Sequence, residues 1–185
     1  ESGKVLASDK AEVAVDQSLA GNIWPTGVHI TNKKTVPKTV AVGKQVQMYG
    51  AVTPVRLKQS VKWSVGKALD TESRKHATIT DDGLVTFTSP GTVYIRANPD
   101  NALYSAVTDT VEFKVVSREE LPVTDFSIGG TLDIKEGETS QLTIENVSPA
   151  GAYTGDVKWE CSDTSAAVIT QNGVVTALDA GQGLQ

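Results

Sequence analysis

The sequence predicts an all-β fold in which β-sandwiches follow one another along the chain. Three observations carry this prediction: apolar and polar side chains alternate along short segments, Gly-containing pairs separate those segments, and one long stretch occurs twice in related form. Alternation with period two places every second side chain on one face of a strand. No segment shows the sustained apolar stripe of an amphipathic helix.

The repeated stretch covers much of the chain. The segment VGKQVQMYGAVTPVRLKQSVKWSV, beginning at Val42, aligns with EGETSQLTIENVSPAGAYTGDVKWEC, beginning at Glu136. The spacing between matched motifs varies from 90 to 96 residues, as expected when loops of different length connect a constant framework. We therefore predict the same fold for both copies.

Each copy contains rows of side chains that are predicted to point inward from a strand. These rows are Val46, Met48 and Val52; Val61, Trp63 and Val65; Val111, Phe113 and Val115; and, in the second copy, Val157, Trp159 and Cys161. We expect Trp63 and Trp159 to lie in the two cores. The pairs Asp82-Gly83 and Asn172-Gly173 predict tight hairpins, because glycine adopts positive φ without a Cβ penalty.

The repeat also predicts the domain organisation. LASDKAEVAVD at Leu6 is similar to AVTDTVEFKVV at Ala106, so residues 1–21 are predicted to be the closing strand of a preceding repeat plus a linker. We predict that residues 22–117 form a complete sandwich and that residues 118–185 form a second one whose C-terminal strands are missing. We expect the leading strand to complete that second sandwich, in the same molecule or in a neighbour. The short link SREELP contains a proline, which predicts a semi-rigid rod.

The order of these motifs resembles the bacterial immunoglobulin-like domain, group 2. The shared pattern is V-G-K, V-T-P, V-K-W-S, A-T-I, D-G-L-V-T and P-G-T-V-Y-I in the first copy, and most of it recurs in the second. The resemblance implies tandem immunoglobulin-like β-sandwiches in an extracytoplasmic setting. Such modules occur in adhesins, surface-layer and cell-wall proteins, exported polysaccharide-degrading enzymes and phage tail or capsid proteins, mostly as spacers or weak adhesive units.

Composition excludes several classes of protein. Apolar residues make up 39% and charged residues 21% of the 185-residue chain, which is ordinary for a globular protein. The net charge of −5 is spread along the chain without a basic stripe, so nucleic acid is not an expected partner. No run approaches the roughly 18 apolar residues of a membrane-spanning helix. The single Cys161 excludes an internal disulfide framework and a multi-thiol metal site.

Few side chains are candidates for catalysis. His29 and His76 lie on predicted strands without an accompanying serine or carboxylate motif, so both are expected to be solvated or edge-strand residues. Cys161 aligns with the inward Val65 and is expected to be a buried thiol that behaves as a small apolar side chain. We therefore predict no catalytic, cofactor-binding or metal-binding residue, and no enzyme activity.

Two kinds of binding site remain as hypotheses. Calcium candidates are Asp70 with Glu72, Asp81 with Asp82, and Asp100 with Asn98 and Asn101, although turns use the same residue types and structural roles are the preferred interpretation. Carbohydrate binding requires a planar strip of aromatic rings, for which the available residues are Trp24, Tyr49, Tyr94, Tyr104 and Tyr153. Packing between domains is preferred over sugar stacking for Trp24.

The sequence thus predicts a non-catalytic structural or adhesive spacer module of a bacterial cell-surface or secreted protein. Its expected partners are neighbouring immunoglobulin-like domains of the same chain and a cell-surface protein or glycan. The alternatives are a phage virion decoration domain and a carbohydrate-binding accessory module of an exported hydrolase.

Overall fold

The structure is a computed structural model that describes residues 24–178. These residues form fourteen β-strands and two short 3-10 helices, at Ser73–Lys75 and Ala102–Tyr104. The predicted all-β class is confirmed. The predicted leading strand within residues 1–21 lies outside the described residues, and so does any contact it makes with the second copy.

The sheets fall into two groups along the chain, called here the first unit (residues 24–117) and the second unit (residues 118–178). The strands of the first unit are β1 (Gly27–Ile30), β2 (Thr39–Ala41), β3 (Gln45–Gln47), β4 (Gly50–Thr53), β5 (Val61–Val65), β6 (Ala77–Ile79), β7 (Leu84–Phe87), β8 (Gly91–Pro99) and β9 (Asp109–Val116). Those of the second unit are β10 (Asp125–Gly129), β11 (Thr139–Gln141), β12 (Thr143–Ser148), β13 (Ala167–Ile169) and β14 (Val174–Ala177).

The first unit is a two-layer sandwich. One layer is a four-stranded sheet in the order β2-β9-β8-β5, and the other consists of the sheets β3-β7-β6 and β1-β4. Strands β2 and β9 pair in parallel, whereas the other pairs in this unit are antiparallel. The Phe87 ring of one layer packs on the Phe113 ring of the other, with centroids 5.0 Å apart, so the core lies between the two layers.

Side-chain alternation along the strands of the first unit agrees with the prediction. Val111, Phe113 and Val115 are buried, whereas Glu112 and Lys114 between them are exposed. The row of Val46, Met48 and Val52 is buried as well. The period-two pattern therefore identified the core face of this sandwich correctly.

Trp63 and Trp159 differ from the prediction, because each is half-buried rather than enclosed in a core. Trp63 lies on β5, at the border of the four-stranded sheet, and packs against the core from there. An indole on a border strand covers the core on one side while its other side stays open. Trp159 is half-buried beside the second hairpin, where a Cβ added to Gly173 would lie 3.3 Å from the indole.

The predicted strand Val157–Cys161 is absent from the second unit, whose described strands form the sheets β10-β12 and β11-β14-β13. The equivalent strand of the first unit, β5, takes its hydrogen bonds from β8. The counterpart of β8 would begin at Gly181, outside the described residues. Among the described residues, Val157–Cys161 has no strand to pair with.

Both predicted hairpins are present and use the same hydrogen bonds. Thr80 N–H donates to Leu84 O at 3.0 Å and Gly83 N–H to Thr80 O at 3.0 Å. In the second unit, Thr170 N–H donates to Val174 O and Gly173 N–H to Thr170 O, both at 2.9 Å. Gly83 and Gly173 have φ of +90° and +79°, as expected from the Gly pairs in the sequence.

Asp109 ties the start of β9 to the end of β1. Its carboxylate accepts hydrogen bonds from Ile30 N–H at 2.9 Å, from Lys33 Nζ at 2.7 Å and from Thr110 N–H at 2.8 Å. Partial burial raises the pKa of this carboxyl, but the hydrogen bonds and the Lys33 charge outweigh burial, so the pKa lies below its usual value.

We expect the stability contributed by Asp109 to be lost in acid. A carboxyl whose pKa is lower in the folded state stabilises the fold fully above its unfolded pKa of about 3.9, and this contribution disappears as the pH falls through the folded pKa. Urea midpoints measured from neutral pH to about pH 2 should therefore fall less steeply in Asp109→Asn than in the wild type. The exposed Asp81→Asn is the matched control and should keep the wild-type profile. Superimposable profiles for the wild type and Asp109→Asn would contradict this role.

Candidate functional site

The two histidines are not brought together with a nucleophile and a base. His29 is exposed on β1, and His76 follows the first 3-10 helix, where its Nδ1 lies 2.9 Å from Ser89 Oγ. Ser89 Oγ donates its proton to Lys75 O at 3.0 Å, so the hydroxyl accepts from the His76 Nδ1–H. A histidine that donates to a serine does not activate it as a nucleophile.

Cys161 is half-buried, which corrects the prediction of a buried thiol. Its Sγ lies 3.2 Å from the backbone carbonyl of Asp163. The thiol is more exposed than its aligned residue Val65 because the segment around it forms no strand and is not drawn into a sheet.

The acidic side chains that were calcium candidates are used by turns. Asp70 accepts hydrogen bonds from Glu72 N–H, Ser73 N–H and Ser73 Oγ, and the Ser73 hydrogen bond is the main cause of its lowered pKa. Asn101 accepts from Leu103 N–H at 3.1 Å. In residues 24–178 no group of three or more His, Cys, Asp or Glu side chains converges, and calcium binding stays an untested hypothesis.

The aromatic residues do not form the planar strip that a sugar-binding surface requires. Trp24 and Tyr104 form a pair with centroids 5.5 Å apart at one end of the first unit. Lys67 Nζ lies 3.6 Å above the Tyr94 ring, and Arg118 Cζ lies 3.9 Å above the Tyr153 ring. These two rings already hold a cation on one face.

Tyr49 is the exception, because it is 59% exposed and faces an open cleft of about 660 Å³. The cleft is lined by the half-buried Trp63 and by Asp81, Asp82 and Asp100, among other residues. Lys62 also lines the cleft, and Lys58 Nζ lies 3.5 Å from Asp100 Oδ2, so its three carboxylates are partly balanced by cations.

The most specific polar assembly lies where the two units touch. Ala41 N–H, at the end of β2, donates to Gly151 O at 2.9 Å. Gly151 and Ala152 are buried although they belong to a surface loop of the second unit. The loop therefore continues hydrogen bonding at the free border of β2.

Arg118 adds side-chain contacts between the two units. It follows β9, and its Nε donates to Val42 O at 3.2 Å while its Nη1 donates to both carboxylate oxygens of Asp156 at 3.0 Å. Its guanidinium also stacks on Tyr153. One side chain thus binds the backbone of the first unit and two side chains of the second. We call the residues Thr39–Gly43, Arg118 and Gly151–Asp156 the interunit joint.

The sequence prediction missed these roles. Arg118 lies in the SREELP link, which was identified only as short and polar, and Gly151 lies in a loop whose length differs between the copies. Neither alternation nor turn chemistry marks a residue whose partner belongs to another sheet. The Gly-x-Tyr sequence at Gly151 was the only available signal.

These observations define the class of protein: a β-sandwich protein in which Asp70 serves a turn, Asp109 a strand end, and Arg118 a contact between units. Residues 122–183 match the family described as bacterial Ig-like domain (group 2). The predicted resemblance is confirmed for this segment. The match points to a non-enzymatic family of structural or adhesive surface domains.

Several solved structures match the chain at low identity and low TM-score. An intimin mutant of EHEC O157:H7 is 16% identical over 62% of this chain and 54% of that chain, with a TM-score of 0.35. Protocadherin gammaB7 EC3-6 is 12% identical over 86% of this chain and 44% of that chain, with a TM-score of 0.37. The S-layer protein rSbsC is 17% identical over 84% of this chain and 24% of that chain, with a TM-score of 0.28.

The chain therefore covers about half of the first two of these structures. No curated protein matches the sequence. Between residues 24 and 178, no helix is long and apolar enough to cross a membrane.

Proposed function

We propose that the chain is a non-catalytic spacer with structural or adhesive use in a bacterial cell-surface or secreted protein. Its two immunoglobulin-like domains would be residues 22–117 and 118–185, with residues 1–21 contributed by a preceding repeat. The family match at residues 122–183 supports the class of domain, and the hydrogen bonds shared by the two units support a tandem arrangement.

The interunit joint is the observation that carries this proposal. It lies at the end of the first unit where β8 begins, because Gly91 pairs with Val115 close to Arg118. The loop between β4 and β5 lies at the opposite end, because Val61 pairs with Pro99. The two ends are separated by the length of β8, about 27 Å at the usual rise per residue. The second unit docks through its equivalent of the β4–β5 loop. A unit that docks through this loop at one end and offers the border of β2 at the other lengthens the chain, as a spacer must.

Carbohydrate binding is the second candidate, and the cleft beside Tyr49 favours it. An exposed aromatic ring can stack on a sugar, and carboxylates accept hydrogen bonds from its hydroxyl groups. One ring with three carboxylates in the same cleft is a weaker platform than the planar strip of aromatic rings that carbohydrate binding requires.

A glycan array probed with the folded 185-residue chain separates the two candidates. For a spacer, we expect no signal above that of Tyr49→Ala, the matched variant that removes the exposed ring. A glycan signal in the wild type that Tyr49→Ala abolishes would replace the spacer proposal with that of a carbohydrate-binding module.

A further inference from the structure

The surface that the first unit offers at the joint is a strand border made of backbone atoms. The side chains of Val40 and Ala41 on β2 are fully buried. The other border of β2 pairs with β9, where Ala41 lies opposite Val116. The strand cannot move away from a partner without breaking this parallel ladder. A loop that docks here must therefore fit the strand as it stands.

Gly151 fits because it has no side chain. A Cβ at this position would lie 1.9 Å from Thr39 O and 3.1 Å from Val40 Cα. Both atoms belong to the backbone of β2, so neither can rotate aside as a flexible side chain would. Every residue larger than glycine would separate the loop from the strand and break the Ala41–Gly151 hydrogen bond.

The second requirement of the surface is an aromatic ring. Gly43 has φ of +92°, and a Cβ there would lie 2.8 Å from the Tyr153 ring. The ring fills the space above Gly43 and supplies the face on which Arg118 stacks. Gly151 thus contacts the border of β2, and Tyr153, two residues later in the same loop, contacts the turn at Gly43.

The corresponding loop of the first unit does not meet the first requirement. Leu57 N–H donates to Pro54 O at 3.0 Å, as Ala152 N–H donates to Pro149 O at 2.9 Å, so the two loops begin with the same turn. This turn places Arg56 at the position of Gly151. The neighbouring Val55 is 83% exposed, so no unit among the described residues docks on it.

We propose that the trailing end of the first unit is a selective docking surface. It accepts the leading loop of an immunoglobulin-like unit that carries glycine at the Gly151 position and an aromatic ring two residues later, and it rejects a loop of the Arg56 type. This inference rests on the proposed spacer function and adds that the joint at Arg118 is stiff. The Arg56 loop of the first unit therefore does not fit a strand border with this geometry.

Residual dipolar couplings of the 185-residue chain test this proposal, because they report the alignment of each unit separately. In the wild type we expect one alignment tensor for both units. Gly151→Arg introduces the residue found at the equivalent position of the first unit. We expect it to release the second unit and to reduce the magnitude of that unit's alignment tensor by about twofold or more relative to the first unit, as for independently moving domains. The reciprocal Arg56→Gly is the matched control and should leave a single tensor.

Gly151→Ala adds only the Cβ that meets Thr39 O, and it serves if Gly151→Arg disturbs the fold of the second unit. Unchanged amide shifts away from the joint, with two different tensors, would support the proposal. A single tensor in Gly151→Ala, or two tensors in the wild type, would overturn it. The glycan array is independent of these couplings, so failure of the joint and failure of the spacer function are distinguishable.

Discussion

Replacing Phe113 by alanine is expected to destabilise the first unit by about 3–5 kcal/mol, the usual cost of removing a buried phenylalanine side chain. Phe113 is fully buried on β9, the strand that joins β2 to β8, and its ring packs on Phe87 of the opposite layer. The substitution opens a cavity between both layers at once. Since domains are stable by only about 5–15 kcal/mol, little stability would remain.

Urea unfolding followed by tryptophan fluorescence measures this loss. In a Trp159→Phe background, the signal comes from Trp24 and Trp63, which both belong to the first unit. We expect the midpoint of Phe113→Ala to fall by about 2 M, given the usual dependence of stability on urea. Leu103→Ala removes an exposed side chain and should change stability by no more than about 0.5 kcal/mol. A loss below about 1 kcal/mol for Phe113→Ala would mean that the two layers do not meet at this ring.

Gly83→Ala is expected to have the next largest effect on the first unit. The glycine has φ of +90°, a conformation that costs a residue with a side chain about 1–3 kcal/mol. The new Cβ would also lie 2.7 Å from Met48 O and 2.9 Å from Trp63 Nε1. Displacing the Met48 carbonyl would disturb its hydrogen bond from Gln47 Nε2, so the total loss should exceed the conformational cost.

Gly137→Ala separates the two contributions. Gly137 has φ of +79°, and no atom of residues 24–178 lies within 4 Å of the position that a Cβ would take. We therefore expect Gly137→Ala to show the conformational cost alone, and Gly83→Ala to lose more, each measured by the urea midpoint of its own unit. Equal losses would indicate that the close approach of Gly83 to Met48 and Trp63 has no energetic consequence.

The turns at Gly43 and Gly137 occupy equivalent positions in the two units but differ in what surrounds them. Gly43 and Gly137 donate to Phe87 O at 2.8 Å and to Ala177 O at 2.9 Å, so the local turn is the same in both units. Tyr153 and Arg118 cover Gly43, whereas the described residues leave the space above Gly137 open. The turn is thus a local property, and its cover depends on the loop that docks on it.

The energy that holds the interunit joint together is not concentrated in one ion pair. The Arg118–Asp156 pair is largely exposed, and such pairs contribute about 0–1 kcal/mol. The stacking of Arg118 on Tyr153 contributes a similar amount. The selectivity of the joint comes from Gly151, because the energetic cost of a Cβ overlapping the backbone of β2 is much larger than the energy of either attraction.

The core of the first unit could be predicted because its signals are local. Period-two alternation identified Phe113 and Met48 as inward residues, and Asp82-Gly83 identified a hairpin without reference to the rest of the chain. The prediction for Trp159 and Cys161 was wrong for the opposite reason. A strand requires a pairing partner, and alternation along Val157–Cys161 says nothing about whether that partner is in place.

The sequence alone determined the all-β class, the inward face of most strands, the two hairpins and the resemblance to a bacterial immunoglobulin-like family, because each depends on residues close together along the chain. Only the tertiary structure decided that β2 pairs in parallel with β9, that Trp63 lies at the border of its core, and that Arg118, Gly151 and Tyr153 meet in one joint. These features depend on backbone and side-chain atoms that meet across long stretches of chain, where a single absent Cβ decides whether two surfaces fit.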